Sequence, residues 1–408
     1  MTDTSGQARV GRVEFTGARF ELFLIVIRGY ALMLPTLGLY RFWQATWKRR
    51  FYWQNTIIDG EPLEYTGTAN QLLLGFFFAL AFFLPIYIAL FVLSMQESGI
   101  VVAGYAAIAA IVWFLMGYAI YRARDFRLSR TLWRGVRFDV RGNAWAYALR
   151  RFLWSALMLV TVGLIYPWMA SSLWKYRWRN TWFGDRKFEI AGNWRAFAAY
   201  YYGAYVLNVV AIVATLGWIG STGDFFLYDK FLPIPGPLSS LACIGCVILL
   251  ALSFAWYRTR SASRMLSTVS LGEAKLTVTV RTAALFGQFI AYVVSLAALL
   301  LLLGLTAAIV IASIYAVASS QGATGSDAIA TLFQSSTTNV VLLILAYLVV
   351  LGAFTLLAEL ILAYGWWRLL ARSASISNPD SLKTVRATIE DRSLIGQGLA
   401  DALNVGAY

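Results

Sequence analysis

The 408-residue chain contains no histidine. Imidazole is the side chain that most often moves protons near neutral pH and ligates zinc or haem, so every scheme that needs it is excluded. Cysteine is nearly as scarce, with Cys243 and Cys246 the two present. Their C-x-x-C spacing falls inside an apolar run of helix length, where two small packing residues are expected rather than a redox or metal pair. Charge is short too: Asp, Glu, Lys and Arg make up 13% of residues, where a soluble domain carries about 25%. So little charge cannot cover a water-soluble globule, and lipid has to cover the rest. Acids are the scarcer half, 20 against 34 bases, which leaves a net charge of +14. P-loops, dinucleotide-type glycine patterns after a strand and paired carboxylates in one loop are all missing. The expectation is a protein that is not an enzyme and holds no cofactor or metal.

What the chain has in excess is apolar sequence, 60% of it. Six nearly uncharged runs long enough to span a bilayer stand out: 71–94, 100–121, 196–220, 241–257, 283–316 and 339–363. The fifth is too long for one crossing, at about 51 Å for an ideal helix, so it has to tilt, break near Gly304 or project. Bases crowd into 41–50, 122–151, 175–187, 258–281 and the stretch beyond Arg368, whereas the loops at 95–99, 221–237 and 319–338 share one, Lys230. Basic loops stay cytoplasmic, so the spans form three outward hairpins with both termini inside. The polar start, Met1 to Val10, lacks the apolar core of a signal peptide. The bases lie beside apolar runs, which points to anionic lipid headgroups as partners and away from nucleic acid. Self-association as a homo-oligomer is left open, and any soluble ligand is unknown.

An offset of 125 residues superposes two parts of the chain without a gap. Thr36, Gly38, Leu39, Trp43 and Ala45 fall on Thr161, Gly163, Leu164, Trp168 and Ala170. Trp53, Asn55, Thr56, Glu64 and Gly67 fall on Trp178, Asn180, Thr181, Glu189 and Gly192. This reads as a duplication. Each copy has an alternating stretch ending at glycine (13–17; 138–142), an apolar segment (20–40; 152–169) and a basic, aromatic stretch ending in Asn-Thr. A turn, Asp59-Gly60 or Gly184-Asp185, leads to a second strand-like piece (63–67; 188–192) and then a pair of apolar helices. A divergent third copy starts near Ala274, with alternation over 276–280 and no Asn-Thr at its later basic boundary. The domain reading is therefore 1–121, 122–257 and 258–408.

Segments 20–40 and 152–169 have bases on both sides and carry breakers: Arg28, Gly29 and Pro35 in the first, Gly163 and Pro167 in the second. A re-entrant helical hairpin is preferred over an ordinary span, and its broken backbone is tolerable only when buried in protein or lining a wet cavity. These residues, with Glu359 inside the last span, are the candidates for a transport pathway, since an ionisable group at depth is costly. Set against that, Arg28 can snorkel and Glu359 can be wetted near the interface. The aromatic-basic stretches supply the second candidate set: Trp43, Trp47, Lys48, Arg49, Arg50 and Trp53, then Trp174, Lys175, Arg177, Trp178 and Arg179. An interfacial anchor is the plainer reading, and a specific anionic-lipid or phosphate site the sharper one. The side chains of Asn55-Thr56 and Asn180-Thr181 are expected to bond free carbonyls at helix ends.

Phe15-Thr16-Gly17, Gly38-Leu39-Tyr40-Arg41-Phe42-Trp43 and Arg50 to Thr56, together with Gly396 to Leu403, resemble the YjgN family of bacterial inner-membrane proteins. The resemblance covers nearly the whole chain. It implies an inner-membrane location and no catalytic residues, the family being one of unknown function. The third copy departs from it, with an enlarged apolar hairpin and no Asn-Thr near Arg372.

The expected fold is an all-α polytopic membrane protein of repeated helical-hairpin units with short cytoplasmic β-strand pairs. The expected function is a transporter- or channel-like protein, with a membrane scaffold or anionic-lipid-binding protein as the alternative.

Overall fold

The computed structural model describes residues 9–95, 99–222, 227–229, 232–234, 237–320 and 337–387. The family-like ending 396–403 and most of the 319–338 loop lie outside the described residues. The chain divides into two compact units: Met1–Gly17, Leu32–Thr282 and Leu370–Tyr408 form one, and Ala18–Ala31 with Ala283–Leu369 form the other.

In the first unit, pairs of short strands alternate with pairs of helices. Strand β1 (Val10–Phe15) is followed in the chain by helix α1 (Arg19–Met33), nearly all of which belongs to the second unit, then by α2 (Arg41–Gln54) and strands β2 (Thr56–Ile58) and β3 (Glu61–Tyr65). Helices α3 (Ala69–Ser94) and α4 (Gly99–Ser129) lead to β4 (Thr131–Trp133) and β5 (Val136–Val140). Then come α5 (Ala144–Val160), α6 (Tyr166–Arg179), β6 (Thr181–Phe183), β7 (Arg186–Lys187) and β8 (Glu189–Ile190). Helix α7 (Arg195–Thr222), a separate hairpin of β9 (Leu227–Asp229) and β10 (Leu232–Ile234), and α8 (Pro237–Leu266) precede β11 (Val269–Leu271) and β12 (Ala274–Val278). Strand β13 (Ala374–Ser377) returns from the second unit.

Why these helices stop where they do is local chemistry. Thr56, Thr131 and Thr181 each open a strand, and each hydroxyl donates to the carbonyl four residues back, on Tyr52, Arg127 and Arg177, at 2.7–2.8 Å. Asn55 and Asn180 donate likewise to Phe51 and Tyr176, at 2.9 and 2.8 Å. Carbonyls orphaned in the last helical turn are thereby satisfied as the backbone swings into a strand. The turns that follow use left-handed pairs, Asp59 (φ 50°) with Gly60 (φ 86°) and Arg134 (φ 54°) with Gly135 (φ 73°). That geometry matches the right-handed twist of a tight hairpin.

The hairpins do not stay separate. They join into one 11-stranded antiparallel sheet in the order β7-β6-β5-β4-β3-β2-β1-β13-β12-β11-β8. Its two outermost strands, β7 and β8, are adjacent in the chain with only Phe188 between them, so the sheet curls into a near-barrel. Ile58, Leu63, Trp133, Val136, Phe138, Phe183, Phe188, Leu271, Ala274 and Ile376, from strands all around the order, meet in one cluster with Leu382 and Val385. Only the concave side of the sheet allows that meeting, so apolar side chains and the turn at Pro379–Thr384 fill the interior. The expectation of an all-α chain with small strand pairs is corrected here. An isolated two-stranded hairpin is marginal in water and leaves unpaired edges; here each edge finds the next hairpin. Asp59, with a side chain 6% exposed, fastens the far end by pairing with Arg9 and Arg134, both at 3.1 Å.

Six helices are long and apolar enough to cross a bilayer: Ala69–Ala89, Val102–Ser129, Arg195–Ser221, Leu238–Leu266, Thr282–Thr306 and Ala346–Arg372. They coincide with the six apolar runs. In the second unit, α9 (Thr282–Ser320) continues unbroken past Gly304 for 39 residues, so of the three alternatives of tilt, break and projection the break is not taken. Helix α10 (Thr337–Leu357) passes through a π-helical turn (Ala358–Ala363) into α11 (Tyr364–Arg372). Glu359 sits on that turn. One helical turn before it, the Thr355 hydroxyl accepts a 2.9 Å hydrogen bond from Tyr30 of α1.

Candidate functional site

A turn at 34–40 separates α1 from α2, and a turn at 161–165 joins α5 and α6 into a helical hairpin. Helix α1 runs straight through Arg28 and Gly29 and ends before a turn that holds Pro35, whereas α5 ends before a turn that holds Gly163. Gly38 donates to the Met33 carbonyl and Gly163 to that of Met158, both at 2.8 Å, at positions where the backbone turns left-handed. These bonds close the ends of α1 and α5 in the manner of a Schellman turn. Pro167 opens α6 within its first turn, where its missing N–H costs nothing. The tips are apolar and bare: Leu37 is 94% exposed, Val160 80% and Val162 74%.

At the second tip, three tyrosines of α7 hold the turn. Tyr205, Tyr201 and Tyr202 donate to the carbonyls of Val162, Gly163 and Leu164 at 2.9, 2.8 and 2.9 Å. Carbonyls that an irregular turn leaves without helical partners are satisfied by these donors. Replacing Tyr201 and Tyr205 together by phenylalanine is expected to cost about 2 kcal/mol. It should also raise amide exchange at 161–165 above that of α6, as read by hydrogen–deuterium exchange in detergent.

Between α5, α6, β7 and the start of α7 lies a cleft of about 550 Å³. Four cations line it, Arg150, Lys175, Arg179 and Lys187, with the three indoles of Trp154, Trp168 and Trp194. No carboxylate is on its wall. Arg150 lies over the Tyr176 ring at 5.0 Å, and Trp168 packs on Trp194 with ring centroids 4.0 Å apart. Tyr176 is itself fixed, donating to the Asn143 carbonyl at 2.7 Å. The same order of chemistry appears on both helices, read from the sheet toward the tip. On α5 it is Arg150, Trp154, then Leu157 and Val160; on α6, read backward, it is Arg179 and Lys175, then Trp168, with Leu164 in the turn beyond. Leu149, Leu153 and Leu157 form an exposed stripe along α5 beside it.

Of the sequence candidates, Lys175 and Arg179 enter this cleft. The others do not. Arg177 lies over Trp174 at 5.6 Å, and Trp178 packs under Arg124 at 4.9 Å and against Phe188. On α2 two arginines are occupied internally: Arg49 donates to the Tyr65 hydroxyl at 3.0 Å and Arg50 to the Gly67 carbonyl at 3.4 Å. Trp53 donates to Thr131, Trp43 stacks on Tyr40, and exposed Trp47 carries Arg50 over its ring. Lys48 stays half-buried on α2, Pro35 is exposed in the first tip, and Arg28 is exposed on α1. Sequence reasoning missed Arg150, Trp154, Lys187 and Trp194. The signal was there at the 125-residue offset, where Ile25, Gly29, Pro62 and Ala69 stand in their places.

No curated protein and no solved structure matches the chain. The model of one family does, over residues 10–402, and the segments resembling YjgN proteins fall within that span except for the last residue of the 396–403 ending. The chain is a member of the bacterial protein family of unknown function designated DUF898.

Proposed function

We propose that this chain is a multi-pass protein of the bacterial inner membrane that binds anionic lipid by its headgroup, in a scaffolding rather than a catalytic role. Its basic connectors and both termini face the cytoplasm, and its second copy arose by duplication. The observation that carries this reading is the graded order of the α5–α6 cleft, cations nearest the sheet, then tryptophans, then a bare apolar tip. Phosphate, interface and acyl chain succeed one another in the same order in a lipid leaflet, and indoles favour the level between.

A transport pathway has one observation behind it, Glu359 on a π-helical turn near the Tyr30–Thr355 hydrogen bond, since such turns recur at functional sites. It has less support, because apolar side chains fill the near-barrel interior. The lipid reading is tested by native mass spectrometry of the full chain released from nanodiscs holding equal phosphatidylglycerol and phosphatidylcholine. Retained phosphatidylglycerol in clear excess is the expected result. Equal retention of the two would refute the reading.

A further inference from the structure

We infer that the α5–α6 cleft selects a lipid headgroup bearing at least two phosphate negative charges over a singly charged phosphodiester; this rests on the lipid-binding reading. The argument is one of charge balance. Among the described residues, none of the four cations forms an ion pair, and the wall carries no carboxylate. Arg150 and Lys187 each lie over an aromatic ring, Tyr176 at 5.0 Å and Trp182 at 5.9 Å. A ring face attracts a cation without neutralising it. Lys175 and Arg179 have no hydrogen bond, ion pair or ring contact among the described residues. They stand four residues apart on α6, the spacing that brings two side chains together on one helix face.

Four like charges around one cleft repel one another, and protein walls strengthen that repulsion relative to bulk water. One phosphodiester charge leaves most of it uncompensated. A headgroup with two charges matches Lys175 and Arg179 one to one. The site is also particular to this copy, because Gln54 and Pro62 replace Arg179 and Lys187 at the 125-residue offset, while Arg50 is already bonded to Gly67.

The test uses the full chain in neutral detergent, with binding read by native mass spectrometry against dioleoyl phosphatidylglycerol, phosphatidic acid and cardiolipin. Inorganic pyrophosphate is added as a tail-free competitor. At about pH 8 the two doubly charged lipids should bind at least about 10-fold more tightly than phosphatidylglycerol. Lowering the pH to about 5 should erase the advantage of phosphatidic acid, whose second ionisation is that of a phosphate monoester, and leave that of cardiolipin. Cardiolipin, whose phosphodiesters keep their charge over that range, is the internal control, so a change confined to phosphatidic acid reports on the ligand. K175Q/R179Q should bring all three lipids to one level, and the pH series makes the same test on the unaltered chain. Equal affinities at pH 8 would overturn the charge selection while leaving lipid binding intact. Failure to retain any of the three would overturn both, and full competition by pyrophosphate would overturn a lipid as the source of the phosphate.

Discussion

Replacing Lys175 and Arg179 together by glutamine is expected to lower affinity for anionic lipid about 30-fold, at about 1 kcal/mol for each cation removed near a charged leaflet. Both side chains line the cleft and neither is bonded to another described residue, so the loss should come from binding and leave the fold unchanged. Two features make the result diagnostic. Raised salt should weaken the unaltered chain toward the variant, because an exposed charge is screened within about a Debye length. Lys275→Gln, on exposed β12, should leave affinity where it was. Retention of lipid by a detergent-purified sample measures all of these, and an unchanged affinity in the double variant would remove the cleft from the argument.

The largest expected effect on stability is at Gly184. Its φ is +55°, and a Cβ added there would land on the Arg386 carbonyl oxygen and come within 2.9 Å of methyl carbons on Val136 and Val385. The carbonyl is backbone and is itself occupied, accepting from the Asp185 N–H at 3.2 Å, while the Arg386 N–H donates to the Asp185 carboxylate at 3.1 Å. Gly184→Ala would therefore have to expel the segment that brings Val385 into the near-barrel interior. The expected cost is about 3–5 kcal/mol, from left-handed strain and lost packing together. Gly60→Ala separates the two, because Gly60 has φ +86° with open space around it. That variant should cost about 1 kcal/mol, the strain alone. Thermal unfolding in detergent should rank them clearly. Equal shifts would mean that the C-terminal segment is not seated against Gly184.

Parts of this architecture were legible from residue order, and the rest was hidden for identifiable reasons. Asp59-Gly60 and Gly184-Asp185 announced their hairpins because tight turns need left-handed residues. The aromatic-basic stretches announced α2 and α6, and Asn-Thr at their ends does bond the last-turn carbonyls. The strands opening at Thr56, Thr131 and Thr181 are three residues long, too short for alternation to register. Alternation also placed the longer strands about two residues late: 63–67 was expected where Glu61–Tyr65 is found. The cleft was half visible. Lys175 and Arg179 could be read as a pair on α6, but Arg150 looked like one more base in a cytoplasmic loop, and Lys187 and Trp194 belonged to elements with no stated relation to α6.

Residue order alone determined that six segments are long and apolar enough to cross a bilayer, where those segments lie, and which helices carry tryptophan beside base. Hydrophobicity and helical periodicity are properties of a short window, and a window is what a sequence presents. Only the tertiary structure decided that the hairpins join into one near-barrel, with Val10 opposite Ser377, and that α6 opens a cationic cleft while α2 bonds its arginines internally. Strand partners and pocket walls are set by which unpaired edges and uncompensated charges meet across hundreds of residues. No local pattern encodes that meeting.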